Sequence, residues 1–182
     1  MAIRLPRFTL PRLAGLLGAA LLVATLVVAG PYRTARLEAA ALAALHSEPA
    51  LEQTLFELTN RERAARGLPA LAHHPVLREI ARIRSWDMAN RGYFSHYTVE
   101  GLSVFDFLDG FGFRGGQGEN IAYNYNDSAS SAPVASRMFM NSPPHATQVL
   151  NGRYRYVGVG EVTNPAGAKY YTVVFSDSDT RW

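Results

Sequence analysis

The sequence contains no cysteine, which excludes a disulfide framework, thiolate chemistry and a cysteine-linked lipid anchor. Acidic residues are absent from residues 1–30, where Arg4, Arg7 and Arg12 account for the whole formal charge of +3. The rest of the chain therefore has no net charge, whereas a nucleic-acid-binding domain needs a basic face. We expect no nucleic-acid partner.

A long apolar run is absent everywhere except at residues 13–30, where Thr25 is the only polar residue. Eighteen helical residues reach roughly 27 Å, close to the thickness of a bilayer core. Two interpretations stay open: a signal anchor that holds the chain in the cytoplasmic membrane, or a signal peptide cleaved near Ala29. In both, residues 1–12 form a basic cytoplasmic leader and the remainder is exported.

The remaining chain divides into a spacer, one domain and a tail. Residues 31–48 are alanine-rich and predict a helical spacer. Residues 49–177 form the predicted domain, and residues 178–182 form a short tail. Helical patterns come first, and two Val- and Tyr-rich strands, 156–163 and 170–175, come last as a hairpin. This order predicts the α+β class.

One stretch before the middle of the chain carries clear helix-start signals. Pro75 begins an apolar pattern that closes near Gly92, and His73 and His74 stand just before it as expected exposed residues.

A shorter helix should start at Val104. Ser103 and Asp106 form a capping-box variant there. We expect this helix to bury Phe105 and Leu108.

Three motifs in the middle of the chain contain residues suited to a site. These are Phe94-Ser95-His96, Gly118-Glu119-Asn120-Ile121 and Asn141-Ser142-Pro143-Pro144-His145. Each stands beside turn-forming residues, where sites are often built. Residues 115–118 predict a flexible loop, and residues 121–125 a short strand. Imidazole and carboxylate groups are suitable zinc ligands, although the sequence alone does not prove that the three motifs converge.

The order of these and further motifs resembles one family closely. The further motifs are Asn60-x-x-Arg63, Gly67-Leu68 and Val157-Gly158-Val159-Gly160. Together they are similar to the bacterial branch of the CAP superfamily, which includes cysteine-rich secretory, antigen 5 and pathogenesis-related 1 proteins. The resemblance covers roughly residues 50–176. It implies a three-layer α-β-α sandwich with a central antiparallel sheet and a large cleft, preceded here by one N-terminal hydrophobic helix.

The resemblance also implies a set of cleft residues. Carried over by motif, His96, Glu119 and His145 line the cleft and hold a divalent metal, often zinc. Many relatives have a second cleft glutamate. No motif places one here, and Glu100 and Asp106 are the candidates within reach along the chain.

Some residues near the second histidine depart from the family pattern. The aromatic residue that precedes it is Phe139, where tryptophan is usual. The arginine and asparagine that often follow it are Ala146 and Gln148. These departures change the surroundings of His145, one of the metal ligands that the resemblance implies.

The expected function is that of a non-catalytic binding module for a lipid, cell-wall or protein ligand, since no Ser-His-Asp pattern stands out. The alternative is a divalent-metal-dependent hydrolase that uses the same cleft, with Glu119 as general base. Tyr93, Tyr123 and Tyr125 are expected to pack against the fold, although a cleft wall of tyrosines would suit an amphipathic ligand.

Overall fold

The computed structural model describes residues 30–179, and these contain six helices and four strands. The helices are α1 (Gly30–Leu45), α2 (Pro49–Ala64), α3 (Pro75–Arg91), α4 (Val104–Gly110), α5 (Ser131–Met140) and α6 (Pro143–Val149). No helix within residues 30–179 is both long and apolar enough to cross a membrane. The hydrophobic helix predicted for residues 13–30 falls outside the described residues, apart from Gly30. The chain divides into two compact units, and the second, Leu37–Trp182, contains the sheet and the helices from α2 onward.

The four strands form one sheet in the order β1-β3-β4-β2, with β1 at Ala72–His73, β2 at Gln117–Asn124, β3 at Tyr156–Thr163 and β4 at Lys169–Ser176. The last two form the predicted hairpin, and β2 pairs with β4 in antiparallel register. The two-residue β1 is parallel to β3, so the sheet is mixed and not purely antiparallel as expected. Two residues are too few to show a strand pattern in the sequence. The α+β class is confirmed.

Helices cover both faces of the sheet. Successive residues of β4 point to opposite faces, and each face packs against different helices. Val173 packs in one core cluster with Leu55 of α2 and Phe139 of α5. Its neighbour Val174 packs in another cluster with Ile80 of α3.

Helix α3 approaches β3 unusually closely at two glycines. A Cβ atom at Gly158 would lie less than 3.0 Å from backbone atoms of Leu77 and Arg78. A Cβ atom at Gly160 would meet the backbone of Ala81 and Arg82 in the same way. Only glycine leaves room for this contact between two backbones.

The start of α3 is capped by a histidine. His74 accepts hydrogen bonds at Nδ1 from the backbone N–H groups of Val76 and Leu77, at 3.2 and 3.4 Å. Its Nε2 lies 2.9 Å from Oδ1 of Asp179. His74 is buried, so the prediction of two exposed histidines is correct for His73 and wrong for His74.

Helix α4 starts at Val104 as predicted, but one side chain that was expected to be buried is exposed. The backbone N–H and Oγ of Ser103 both donate to Asp106. Val104 and Leu108 are buried, whereas Phe105 is 49% exposed, so the predicted burial of Phe105 is wrong. Residues four apart share a helix face, and Phe105 lies about 100° around the axis from Val104.

The carboxyl group of Glu161 on β3 is fully buried, and no side chain among residues 38–179 forms an ion pair with it. It accepts hydrogen bonds from the backbone N–H of Glu48 at 2.9 Å and from Oγ1 of Thr163 at 2.7 Å. Burial raises the pKa of Glu161 to about 7, although both hydrogen bonds act in the opposite direction.

Replacement of Gly158 or Gly160 by alanine should lower the free energy of unfolding by about 1–3 kcal/mol or more, because the new methyl group overlaps the α3 backbone. Urea unfolding measures the effect. Gly110→Ala is the matched control, since a Cβ there has no atom within 4 Å. Equal stability of all three variants would contradict the close approach.

Protonated Glu161 should stabilise the fold at low pH. Its folded pKa is raised, so this stability is complete below the unfolded pKa and is lost as pH rises through about 7. Glu161→Gln should therefore gain stability relative to the parent chain between pH 5 and pH 8, by roughly 3 kcal/mol at most. Thermal melts across this range measure the difference, and a difference independent of pH would refute the assignment.

Candidate functional site

Glu119 lies inside β2, opposite Val174 of β4. The predicted loop of residues 115–118 and strand of residues 121–125 are corrected here, because β2 already begins at Gln117. Glycine, glutamate and asparagine are rare in strands, and pairing with β4 overrides that preference. Glu119 is therefore held by a sheet and not by a flexible loop.

The Glu119 carboxylate connects two basic side chains. Oε2 lies 2.7 Å from Nδ1 of His96, and Oε1 lies 3.2 Å from Nε of Arg84. The Glu119 side chain is 3% exposed and that of His96 is 50% exposed. A carboxylate oxygen accepts, so the proton on His96 is assigned to Nδ1, and in the neutral ring Nε2 is an acceptor.

Arg84 is the functional residue that the motifs did not reveal. Its side chain is 0% exposed, and its two Nη atoms reach the backbone oxygen of Ser95 at 2.7 Å and the Tyr93 hydroxyl at 3.1 Å. Tyr93 in turn donates to Asp87. Burial and that hydrogen bond raise the pKa of Tyr93 to about 12. Arg84 thus fixes both Glu119 and the chain segment that carries His96.

A sequence signal for Arg84 exists in the helical pattern. Leu77, Ile80, Arg84 and Met88 recur at spacings of three and four residues, which places all four on one face of α3. An arginine within an apolar stripe predicts a buried cation with a buried anionic partner.

His145 lies at the start of α6, and its ring is not part of the lining of the cleft that contains His96 and Glu119. Its ring centroid is 5.6 Å from that of Phe139, and its backbone oxygen accepts from the Asn120 side chain at 3.0 Å. Burial, and secondarily the positive charge of His96, lower the pKa of His145. The two histidines are therefore close enough to influence each other electrostatically.

The two candidates for a second carboxylate lie elsewhere. Glu100 binds Arg91, with Oε1 2.6 Å from Nη2, at an exposed position. Asp106 accepts from Ser103 at the start of α4. Neither belongs to the side chains that line the cleft.

A cleft of about 300 Å³ opens beside His96 and Glu119. Its walls also contain Tyr97, Phe105 and Gln148. Gln148 accepts at Oε1 from the Tyr154 hydroxyl at 2.7 Å. A Cβ at Gly118 would collide with these two side-chain oxygens, so the glycine of the second motif makes room for that hydrogen bond. A larger hollow of about 490 Å³ lies near Arg153 and Arg155 and contains none of the site residues.

The donor atoms present do not fit a three-ligand zinc site in this arrangement. Within residues 30–179, no three His, Asp or Glu side chains are grouped closely enough to hold a metal ion. Both oxygens of Glu119 already accept hydrogen bonds, which leaves His96 and His145 as the available imidazoles. Metal binding by these residues stays a prediction.

Arg84→Met should lower the free energy of unfolding by about 3–5 kcal/mol, because Glu119 would be left as a buried charge without its cation. Addition of Glu119→Gln to this variant should restore part of the loss. Urea unfolding of the two single variants and the double variant measures the coupling. Arg91→Met, which breaks an exposed pair on the same helix, is the control with a small expected effect. Additive losses would show that the two side chains are uncoupled.

Comparison with known proteins gives consistent results. The family model described as "CAP: Cysteine-rich secretory protein family" matches residues 56–175. The chain is 35% identical over 117 residues to the uncharacterized protein YkwD of Bacillus subtilis, which is 64% of this chain and 44% of YkwD. It is 37% identical over 125 residues to the uncharacterized membrane protein YlbC of the same organism, which is 68% of this chain and 34% of YlbC. The chain thus matches less than half the length of each.

A solved structure supports the same conclusion. The chain is similar to an extracellular protein containing an SCP domain from Bacillus anthracis, with a TM-score of 0.62 and 33% identity. The similarity covers 71% of this chain and 41% of that protein. The chain belongs to the CAP, or cysteine-rich secretory protein, family, in its bacterial branch.

Proposed function

We propose that the chain is an extracytoplasmic binding module that takes a ligand into the His96 cleft without altering it chemically. One observation carries this proposal. The Glu119 carboxylate is shared between Arg84 and His96, so its task is to orient the imidazole. An oriented imidazole with a free Nε2 is a rigid hydrogen-bond acceptor at the edge of a cleft.

The cleft walls indicate the chemistry of the ligand. His96 offers an acceptor, and Gln148 adds an amide group. Tyr97 and Phe105 are 60% and 49% exposed and offer apolar surface. A ligand with hydroxyl or N–H donors beside an apolar face is therefore complementary to the cleft.

The alternative, a divalent-metal-dependent hydrolase, needs a free carboxylate or an activated nucleophile. Glu119 would have to release Arg84 or His96 in order to act as general base. Within residues 30–179, no serine or threonine hydroxyl is hydrogen-bonded to His96 or His145, and Ser103 Oγ donates to Asp106 instead. These contacts favour binding over hydrolysis.

The proposed location is outside the cytoplasmic membrane, either tethered or released. The apolar residues 13–30 support export. The description of YlbC as a membrane protein and of the Bacillus anthracis relative as extracellular supports it as well.

Titration calorimetry on the full chain in lipid nanodiscs tests the proposal. The probes are N-acetylchitotriose, a lysophosphatidylcholine, an unstructured peptide and zinc chloride. One organic probe should bind and be recovered intact by mass spectrometry. His96→Ala should weaken its binding about 2- to 13-fold, as expected for loss of a neutral hydrogen bond worth about 0.5–1.5 kcal/mol. His73→Ala, an exposed histidine outside the cleft, should have no effect.

Two results would overturn the proposal. The first is failure of all three organic probes to bind a correctly folded chain. The second is zinc binding that both His96→Ala and His145→Ala abolish, together with zinc-dependent cleavage of a probe. That second result would establish the hydrolase alternative.

A further inference from the structure

Four aromatic side chains form a continuous cluster at the end of β2, named here the aromatic platform: Phe94, Tyr123, Tyr125 and Tyr170. Tyr123 is its centre, with ring centroids 5.0 Å from Phe94, 6.3 Å from Tyr125 and 5.3 Å from Tyr170. The rings of Tyr123 and Tyr170 are stacked with an interplanar angle of 17°, so the buried Tyr170 ring packs against the central ring. The expectation that Tyr123 and Tyr125 pack against the fold is only partly met. Phe94, Tyr123 and Tyr125 are 45%, 39% and 67% exposed.

The platform also carries unused polar groups. Among the side chains and backbone of residues 38–179, the hydroxyls of Tyr123, Tyr125 and Tyr170 have no hydrogen-bond partner. The three rings lie next to one another, with Tyr123 5.3 Å from Tyr170 and 6.3 Å from Tyr125 between ring centroids. Exposed rings that carry hydroxyls offer an apolar face and a polar edge together, which suits a ligand that is both apolar and hydroxylated.

The platform and the cleft both include residues of β2, Tyr123 in the platform and Glu119 in the cleft. Glu119 and Tyr123 point to the same face of β2, since residues at even spacing share a face. Four residues of strand separate them by about 13 Å. The chain from Phe94 to His96 follows this line, with Phe94 against Tyr123 and His96 against Glu119. An elongated ligand in the cleft can therefore extend across the platform.

We propose that the aromatic platform stacks against the sugar rings of an uncharged oligosaccharide whose far end occupies the His96 cleft. This inference rests on the proposed binding function of the cleft and names its ligand class. A pyranose has an apolar face that covers an aromatic ring and hydroxyls that reach its polar edge. Tyr125, as the most exposed ring of the four, forms the outermost contact.

Two other occupants fit the observations less well. An acyl chain needs an enclosed apolar channel, whereas these rings lie on an open surface. A proline-rich peptide also binds aromatic surfaces, but it has few N–H groups. Nε2 of a neutral His96 accepts hydrogen bonds and the phenol hydroxyls both donate and accept, and sugar hydroxyls match both kinds of group.

The test compares N-acetylchitohexaose with N-acetylchitotriose on the full chain in nanodiscs, by titration calorimetry. The hexasaccharide should bind more tightly than the trisaccharide, because it covers both surfaces. Tyr125→Ala should weaken hexasaccharide binding about three- to tenfold, by loss of one stacking ring. Tyr125→Phe should retain most of the affinity. Met138→Ala, which truncates a side chain on α5 that is 42% exposed, is the matched control and should have no effect.

Each other outcome has a distinct meaning. If His96→Ala weakens hexasaccharide binding and Tyr125→Ala does not, the platform is overturned while the binding function stands. If only the lysolipid binds, the oligosaccharide inference fails and the binding function again stands. If a decaproline peptide binds in a Tyr125-dependent way and the hexasaccharide does not, the platform is a peptide site and the inference is overturned. If no probe binds the folded chain, both proposals fail together.

Discussion

Helix α3 lies against β3 with no side chain between the two backbones at Gly158 and Gly160. This contact sets the height of α3 above the sheet for its whole length. One turn further along the helix, Arg84 reaches across to Glu119 on β2 at 3.2 Å while remaining buried. If α3 were displaced outward by the width of a methyl group, that hydrogen bond would be lost. Packing on β3, which is separated from β2 by β4, therefore determines the geometry of the site.

Two buried carboxylates show what Arg84 contributes. Glu161 has only neutral donors, and burial raises its pKa to about 7. Glu119 has a guanidinium on one oxygen and the His96 ring on the other. Burial of a charge is costly unless a partner is already in place. The cation lets an interior carboxylate orient an imidazole at the surface of the cleft.

Local signals predicted local structure well and side-chain direction poorly. The capping box correctly predicted where α4 starts, yet Phe105 faces the cleft and not the core. The glycines before Glu119 predicted a loop, and pairing with β4 made the segment a strand. His74 looked like an exposed helix-start residue, whereas Asp179, more than a hundred positions away, helps to bury it. In the last two cases the deciding partner is distant in sequence.

The sequence alone determined the α+β class, the β3–β4 hairpin and the motifs that contain His96, Glu119 and His145, because spacing and turn chemistry are local properties. It determined neither the contact between His96 and Glu119 nor the supporting role of Arg84. It also left open which aromatic side chains remain exposed. These features depend on how far α3 lies from β2 and from the segment that follows α3. The packing of α3 on Gly158 and Gly160, which are distant in sequence, sets that distance. Only the tertiary structure brings the His96 and Glu119 motifs to one cleft, because no local pattern encodes the distance between a helix and a strand.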